Sequence, residues 1–237
     1  MKLLVSVLNR RDAVEAVEGG TDIVDVKNPA EGALGANFPW IIREVRDTVP
    51  HELEVSATIG NLPYLPGTAS LAALGAAVSG VNYIKAGLHG IKNPSQGFEI
   101  MQSIRRAVKK LTSKVKVIAV GYADYKEVGC INPLRLPDIA HKAEADGVMI
   151  DIDRKDEKRL FNYFKPSELK GFVKAAHRSN LIAALAGSLG PDNVDAVSEV
   201  GADIFGVRRA VCSKVGGGRC RVNRSLVKKL ASTVRDC

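Results

Sequence analysis

Residues 18–26 read EGGTDIVDV: a helix-favouring stretch ends, two glycines turn the chain, and a run of β-branched residues begins. The same joint returns as VSGVNYI (78–84), EADGVMI (144–150) and EVGADIF (199–205). Small residues after a helix let the backbone reverse tightly, so each joint reads as a short helix-to-strand loop. Working outward from these joints, apolar runs recur at 2–7, 22–27, 53–58, 82–87, 114–120, 147–152, 181–187 and 203–208. Helical spacing fills the intervals near 10–19, 38–48, 67–79, 95–112, 133–145, 165–179, 190–199 and 223–235. Pro94, Pro133 and Pro166 sit just inside helix starts, where a missing N–H costs nothing. Strict β-then-α alternation requires parallel strands joined by helical crossovers, and eight units of about thirty residues suit a closed (β/α)₈ TIM barrel. A single barrel domain over residues 1–237 is therefore expected. A doubly wound open sheet would also alternate, but no GxGxxG follows the first strand.

Composition narrows the function class. Hydrophobic residues make up 46% and charged residues 25%, an ordinary globular balance. No stretch approaches the roughly 18 apolar residues of a membrane span, and the start MKLLVSVLNRRDAVEA has no cleavage-site pattern. A cytoplasmic protein without membrane contact is expected. The net charge of +8 is spread along the chain with few aromatic neighbours, which argues against nucleic acid as a partner. Cys130, Cys212, Cys220 and Cys237 form no CxxC pair, so reduced thiols are expected and neither zinc nor redox chemistry. The histidines at 51, 89, 141 and 177 lack metal-ligand spacing, and no metal or organic cofactor is expected. Barrels of this size often associate, so a homo-oligomer is expected.

In such a barrel the chemistry sits at the C-terminal ends of the strands. Three even-numbered runs end in charge there: the second in Asp25 and Lys27, the fourth in Lys85, the sixth in Asp151. Alternate strands supply one layer of inward side chains, so Lys27, Lys85 and Asp151 are expected at one level, with Asp25 one layer below Lys27 and orienting it. Lone strand-end lysines usually curl out to solvent. Matching depth on alternate strands favours convergence instead. Two amines in a dry pocket depress each other's pKa, and a partly neutral lysine can attack a carbonyl to form a Schiff base. Carboxylates nearby can move the protons. Lys155, in the charged loop DIDRKDEK, lies on the same rim.

The loops after strands seven and eight, AGSLGPDNV and GVRRAVCSKVGGGR, often hold a phosphate in this fold. Gly187, Ser188, Gly206, Val207, Arg208 and Arg209 are the candidates, Arg209 pointing opposite to Arg208. His89 is on the catalytic rim and reads as a plain loop histidine, with a supporting role as the alternative. The triplet GGG at 216–218 reads as a flap or a linker.

The stretches DIVDVKNPAEGALGANFPWIIREVR, YIKAGLHG, GVMIDIDRKD, ALAGSLG and GADIFGVRRAVC together resemble the (5-formylfuran-3-yl)methyl phosphate synthase family of methanofuran biosynthesis, over residues 1 to about 212. That resemblance implies condensation of two glyceraldehyde 3-phosphate molecules with loss of phosphate and water, without a cofactor, in a methanogenic archaeon or a methylotrophic relative. It makes Lys27 the Schiff-base lysine and Lys85 the proton-transferring group, with Asp25, Asp151 and Lys155 completing the site. A class I aldolase or an isomerase of triose phosphates is the rival with the same lysine chemistry. The tail after 212 is less diagnostic.

Overall fold

A computed structural model describes residues 1–154, 158–215 and 219–237. Lys155 and the 216–218 triplet lie outside the described residues. Among the described residues, eight parallel strands close in sequence order into a barrel: β1 (Lys2–Val7), β2 (Ile23–Val26), β3 (Glu54–Asn61), β4 (Tyr83–Gly87), β5 (Lys116–Tyr122), β6 (Gly147–Asp151), β7 (Ile182–Leu185) and β8 (Ile204–Val207). The helices are α1 (Arg10–Glu18), α2 (Pro39–Thr48), α3 (Pro66–Val78), α4 (Pro94–Leu111), α5 (Tyr125–Val128), α6 (Leu136–Lys142), α7 (Leu160–Tyr163), α8 (Pro166–Arg178), α9 (Val194–Glu199) and α10 (Arg224–Asp236). Asn9, Asn93 and Asn223 cap α1, α4 and α10 by accepting a hydrogen bond from a first-turn backbone N–H.

Two apolar cores follow from the alternation of side chains along each strand. One lies between strands and helices. The other fills the lumen with Leu4, Ile23, Tyr83, Ile118, Val120, Met149, Ala184, Ala186 and Ile204. The loop after β2 adds Ala33 and Leu34 to that lumen core. It is pinned by the Thr58 hydroxyl, which donates to the Gly35 carbonyl at 2.7 Å, and by the Leu34 N–H, which donates to Asn61 Oδ1 at 3.0 Å. The stretch NPAEGALGANFP thus folds inward and plugs part of the barrel mouth.

After β8 the chain makes an antiparallel hairpin, β9 (Cys212–Val215) and β10 (Arg219–Val222), before α10. Here the expectation of reduced thiols is corrected: Cys212 and Cys220 form a disulfide across the hairpin. Pairing of the two strands brings their Cα atoms to 5.5 Å, inside the range a disulfide spans. A spacing of eight residues carries no such signal until the hairpin is known. No helix among the described residues is long and apolar enough to cross a membrane.

Candidate active site

Register sets the heights of the inward side chains. Asp25 pairs with Ser56, and Ser56 with Tyr83. An eight-stranded barrel of shear 8 climbs about one residue per strand, so groups level with each other on alternate strands lie two residues beyond their register partners. Asp25 is therefore level with Lys85. The same construction, carried through Gly147, Ala184, Ile204 and Leu4, adds Met149 and Gly206 to that level. Lys27, Gly87, Asp151 and Arg208 form the level above. The expectation of Lys27, Lys85 and Asp151 at one height is corrected by this stagger: Lys85 sits one layer deeper.

Contacts follow the levels. On the lower one, Lys85 Nζ lies 2.7 Å from Asp25 Oδ2, and both side chains are buried. The Asp25 carboxylate also accepts from the hydroxyls of Ser6 at 2.9 Å and Ser56 at 2.8 Å, its register partners on either side. A fixed set of donors of this kind keeps the carboxylate aimed at Lys85. Asp25, expected to orient Lys27, reaches across the lumen to the fourth strand. On the upper level, Lys27 Nζ lies 3.8 Å from Asp151 Oδ2, again with both side chains buried.

Gly206 places no side chain in the lower level, and a Cβ there would approach Ala186 Cβ to 3.1 Å and Met149 Cε to 3.2 Å. The space left is part of a cavity of about 220 Å³. Lys27, Lys85 and Asp151 line it on one side, and Gly187, Ser188, Gly206, Val207, Arg208 and Arg209 on the other. All the described candidates except Asp25 thus share one cavity, and Asp25 stands beneath it through Lys85.

At the rim, Gly187 and Ser188 both adopt left-handed backbone, with φ of +104° and +58°. Such a conformation costs a non-glycine residue about 1–2 kcal/mol and persists where the surroundings impose it. The Ser188 hydroxyl accepts a hydrogen bond from Arg209, while Arg208 Nη1 donates to the Ser6 carbonyl at 2.9 Å and Nη2 lies 3.5 Å from Asp12 Oδ2. Both arginines nevertheless line the cavity, which corrects the expectation that Arg209 points opposite to Arg208: β8 ends at Val207 and the chain turns at Arg209–Val211, so strand alternation no longer applies there. Burial lowers the Arg208 pKa, opposed by Asp12. The guanidinium keeps its charge.

A second polar cluster lies on the other side of the plug. The Tyr122 hydroxyl donates to Asn61 Oδ1 at 2.9 Å, and Asn61 Nδ2 donates to Asp153 Oδ1 at 2.7 Å. His89 Nε2 is 3.4 Å from Asp153 Oδ2, with its ring edge-on to Tyr122. Burial pushes the Tyr122 phenol well above its ordinary pKa, so it acts as a neutral donor. His89 is thus part of this cluster.

A sequence profile described as 4-HFC-P synthase matches residues 3–231. The chain belongs to the 4-HFC-P synthase family. The (5-formylfuran-3-yl)methyl phosphate synthases of Methanopyrus kandleri and Methanosarcina barkeri are 48% and 50% identical to it, each alignment covering 98% of both chains. That of Methanocaldococcus jannaschii is 49% identical over 97% of this chain and 98% of its own. Family likeness therefore runs past residue 212 through the hairpin and into α10. Solved structures show the fold alone: 3-hexulose-6-phosphate synthase from Salmonella typhimurium has a TM-score of 0.70 at 16% identity, covering 100% of this chain and 99% of that one. Phosphoribosyl anthranilate isomerase from Thermus thermophilus has 0.64 at 14%, with the same coverage.

Within the 4-HFC-P synthase frame, sequence reading passed over four groups that position the site. Ser6 and Ser56 were visible as inward polar residues on apolar strands, by the same alternation that exposed Asp25. Asp12 had a signal as the residue three beyond the Asn9 cap, but its reach to Arg208 depends on tertiary packing. Tyr122 had none, because an aromatic on a strand reads as core.

Proposed function

We propose that this chain makes (5-formylfuran-3-yl)methyl phosphate from two molecules of glyceraldehyde 3-phosphate in methanofuran biosynthesis, with Lys27 as the nucleophile. The observation that carries the reading is the pair of buried amines lining one cavity, each beside its own carboxylate. Family membership supplies the product, since the relatives are named for it.

Lys27 attacks the aldehyde carbon of the first triose phosphate, and Asp151 takes and returns the proton as water leaves to give an iminium. Loss of the adjacent proton gives an enamine, whose carbon attacks the aldehyde of the second molecule. The Lys85 ammonium, held by Asp25, supplies a proton to the alkoxide that forms. Elimination of one phosphate and two waters overall balances the atoms and leaves the aromatic ring. The two left-handed residues at 187 and 188, with Arg208 and Arg209, are assigned one substrate phosphate. Lys155 is assigned the other on sequence grounds.

Borohydride reduction in the presence of glyceraldehyde 3-phosphate should fix a covalent adduct on Lys27, mapped by peptide mass spectrometry, and Lys27→Ala should lose it. An adduct that persists in that variant moves the nucleophile to Lys85. Accumulation of an ultraviolet-absorbing furan from this one substrate separates the reading from a class I aldolase or an isomerase, which would give no aromatic product.

A further inference from the structure

The stretch TIGNLPY (58–64) ends β3 with a glycine followed by an asparagine. Thr58 pairs with Lys85 and Asn61 with Gly87, so three steps on β3 match two on β4. Gly60, at a φ of +114°, takes up the extra residue. Strict alternation from Thr58 would turn Asn61 toward the helices. The bulge instead sets it beside Gly87, in the row that faces the barrel mouth.

Three contacts fix the Asn61 amide. Its Oδ1 accepts from the Leu34 N–H at 3.0 Å and from the Tyr122 hydroxyl at 2.9 Å, and its Nδ2 donates to Asp153 Oδ1 at 2.7 Å. A backbone N–H only donates and a carboxylate only accepts, so the amide has one orientation. The plug lies directly against it: a Cβ at Gly32 would stand 2.7 Å from Nδ2. Leu34 belongs to the loop that begins after Lys27, which the Asn28 N–H closes on the Gly35 carbonyl at 2.9 Å. Asp153 is two residues beyond Asp151. Its N–H and that of Arg154 donate to the two oxygens of the buried Asp124 at 3.0 and 2.8 Å, so the backbone of this second loop is held from β5 while the Asp153 side chain meets Asn61 and His89. One amide therefore joins the loop after the amine to the loop after its carboxylate. Lys27 and Asp151 face each other at 3.8 Å where those loops begin.

We propose that Asn61 is a positioning residue for the condensation: by tying these two loops together it holds the Asp151 carboxylate in place against the Lys27 amine. The inference rests on the reading of Lys27 as nucleophile and Asp151 as its proton carrier, and it gives Asn61 no contact with substrate. Gly187, Ser188, Arg208 and Arg209 line the opposite side of the cavity, so loss of the tie acts on the chemical steps rather than on substrate capture.

Steady-state kinetics of the full chain with glyceraldehyde 3-phosphate test this. Asn61→Ala should lower kcat by about thirtyfold, within the roughly hundredfold loss that a displacement near 1 Å causes, and change KM by less than about threefold. Asn61→Asp keeps an oxygen toward Leu34 and Tyr122 but sets a carboxyl against Asp153. Two carboxyls so close share one proton, which titrates above the ordinary carboxylate range. With that proton the tie to Asp153 is kept; without it, two negative charges part the loops. The titratable groups around the pair are Tyr122, Asp124 and Cys130 on and after β5, Asp151 on β6, and His89 after β4, whose protonation offsets the repulsion at acid pH. Because these groups are present in the wild type too, the ratio of variant to wild-type kcat isolates the new pair. That ratio should be about one at acid pH and fall about tenfold or more as pH rises, while circular dichroism is unchanged. The fall reports on the Asp153 side of the amide, which simple anchoring of the plug would not move. A flat ratio, a fall that tracks unfolding, or an Asn61→Ala variant that keeps kcat overturns the proposal. Should Asn61→Ala fail to fold, the Asn61→Asp ratio decides alone. Borohydride trapping of the wild type, run alongside, separates the two levels: a Lys27 adduct with a flat ratio removes the role of Asn61 only, whereas an adduct elsewhere removes the reading beneath it as well.

Discussion

The Lys85–Asp25 pair shows how a buried charge is tolerated here. Asp25 is fully buried, and each of its oxygens has a hydroxyl or an ammonium within 2.9 Å. Desolvating both ions costs several kcal/mol, offset only because geometry and hydrogen bonds are complete. Asp25→Asn leaves the ammonium without its counter-charge and should destabilise the fold by about 3–5 kcal/mol. In chemical denaturation, Lys85→Met combined with Asp25→Asn should recover part of that loss, because the orphaned ion is gone. Additive losses would mean that the two groups do not interact energetically. On the alkaline side, the pH dependence of stability is set by groups of the opposite kind. Burial pushes the Cys130 thiol from 9.0 up to about 11, with Asp124 adding to it, and the Tyr122 phenol well above 10. Both acids bind their protons more tightly when folded, so the stability they contribute is fully present below pH 9 and is lost as pH rises through the folded values. The melting temperature should fall from about pH 9 upward, and Cys130→Ala should flatten the decline between pH 9 and 11. A melting temperature level across that window would refute the assignment.

Elements position the site by what they omit. Strand β4 ends in Gly87 and β8 has Gly206 one residue before its end, and each absence has an occupant. At 87 a Cβ would strike the Tyr122 hydroxyl and stand 2.8 Å from the Gly60 carbonyl, so that glycine lets the β3–β5 polar cluster close against the plug. At 206 the neighbours are Ala186 Cβ and the flexible end of Met149, and the space above them belongs to the cavity. Gly206→Val should fold, because Met149 can turn aside, but its methyl groups enter the cavity. Steady-state kinetics should show KM raised by tenfold or more, a loss of roughly 1.4 kcal/mol in binding. Gly187 differs, because its φ of +104° suits no L side chain and its Cβ would stand 2.9 Å from Ile152 Cγ1. Gly187→Ala should therefore lower stability as well as activity, by about 1–3 kcal/mol in thermal or denaturant unfolding. Similar effects of the two substitutions on stability would remove the distinction drawn between cavity and turn.

At the scale of the whole molecule, the barrel was legible because each strand and joint repeats one local pattern, and the repeats agree. The stagger between strands was not, since register is a property of pairs. Period two put Asp25 beneath Lys27, and only the climb of the sheet around the barrel carried it to Lys85. Groups delivered by packing between distant segments, such as Asp12 against Arg208, escape a linear reading for the same reason. The hairpin is the extreme case. It follows the last strand, it was assigned no role, and yet Val222 donates its backbone N–H to Asp12 Oδ1 at 3.4 Å while Cys220 lines the cavity. One carboxylate thus joins the hairpin, the first helix and Arg208. The Cys212–Cys220 bond closes a loop of eight residues, worth about 2.5 kcal/mol in the chain-entropy account. That stabilisation belongs to the hairpin, because barrel strands and hairpin share no ladder. Unreduced intact protein should be two hydrogens lighter than its reduced form. Cys212→Ser with Cys220→Ser should then raise amide exchange in residues 212–222 by up to about sixtyfold, the exchange equivalent of that energy, while β1 to β8 keep their protection. Equal loss of protection in the barrel strands would show instead that the hairpin and the barrel unfold as one cooperative unit.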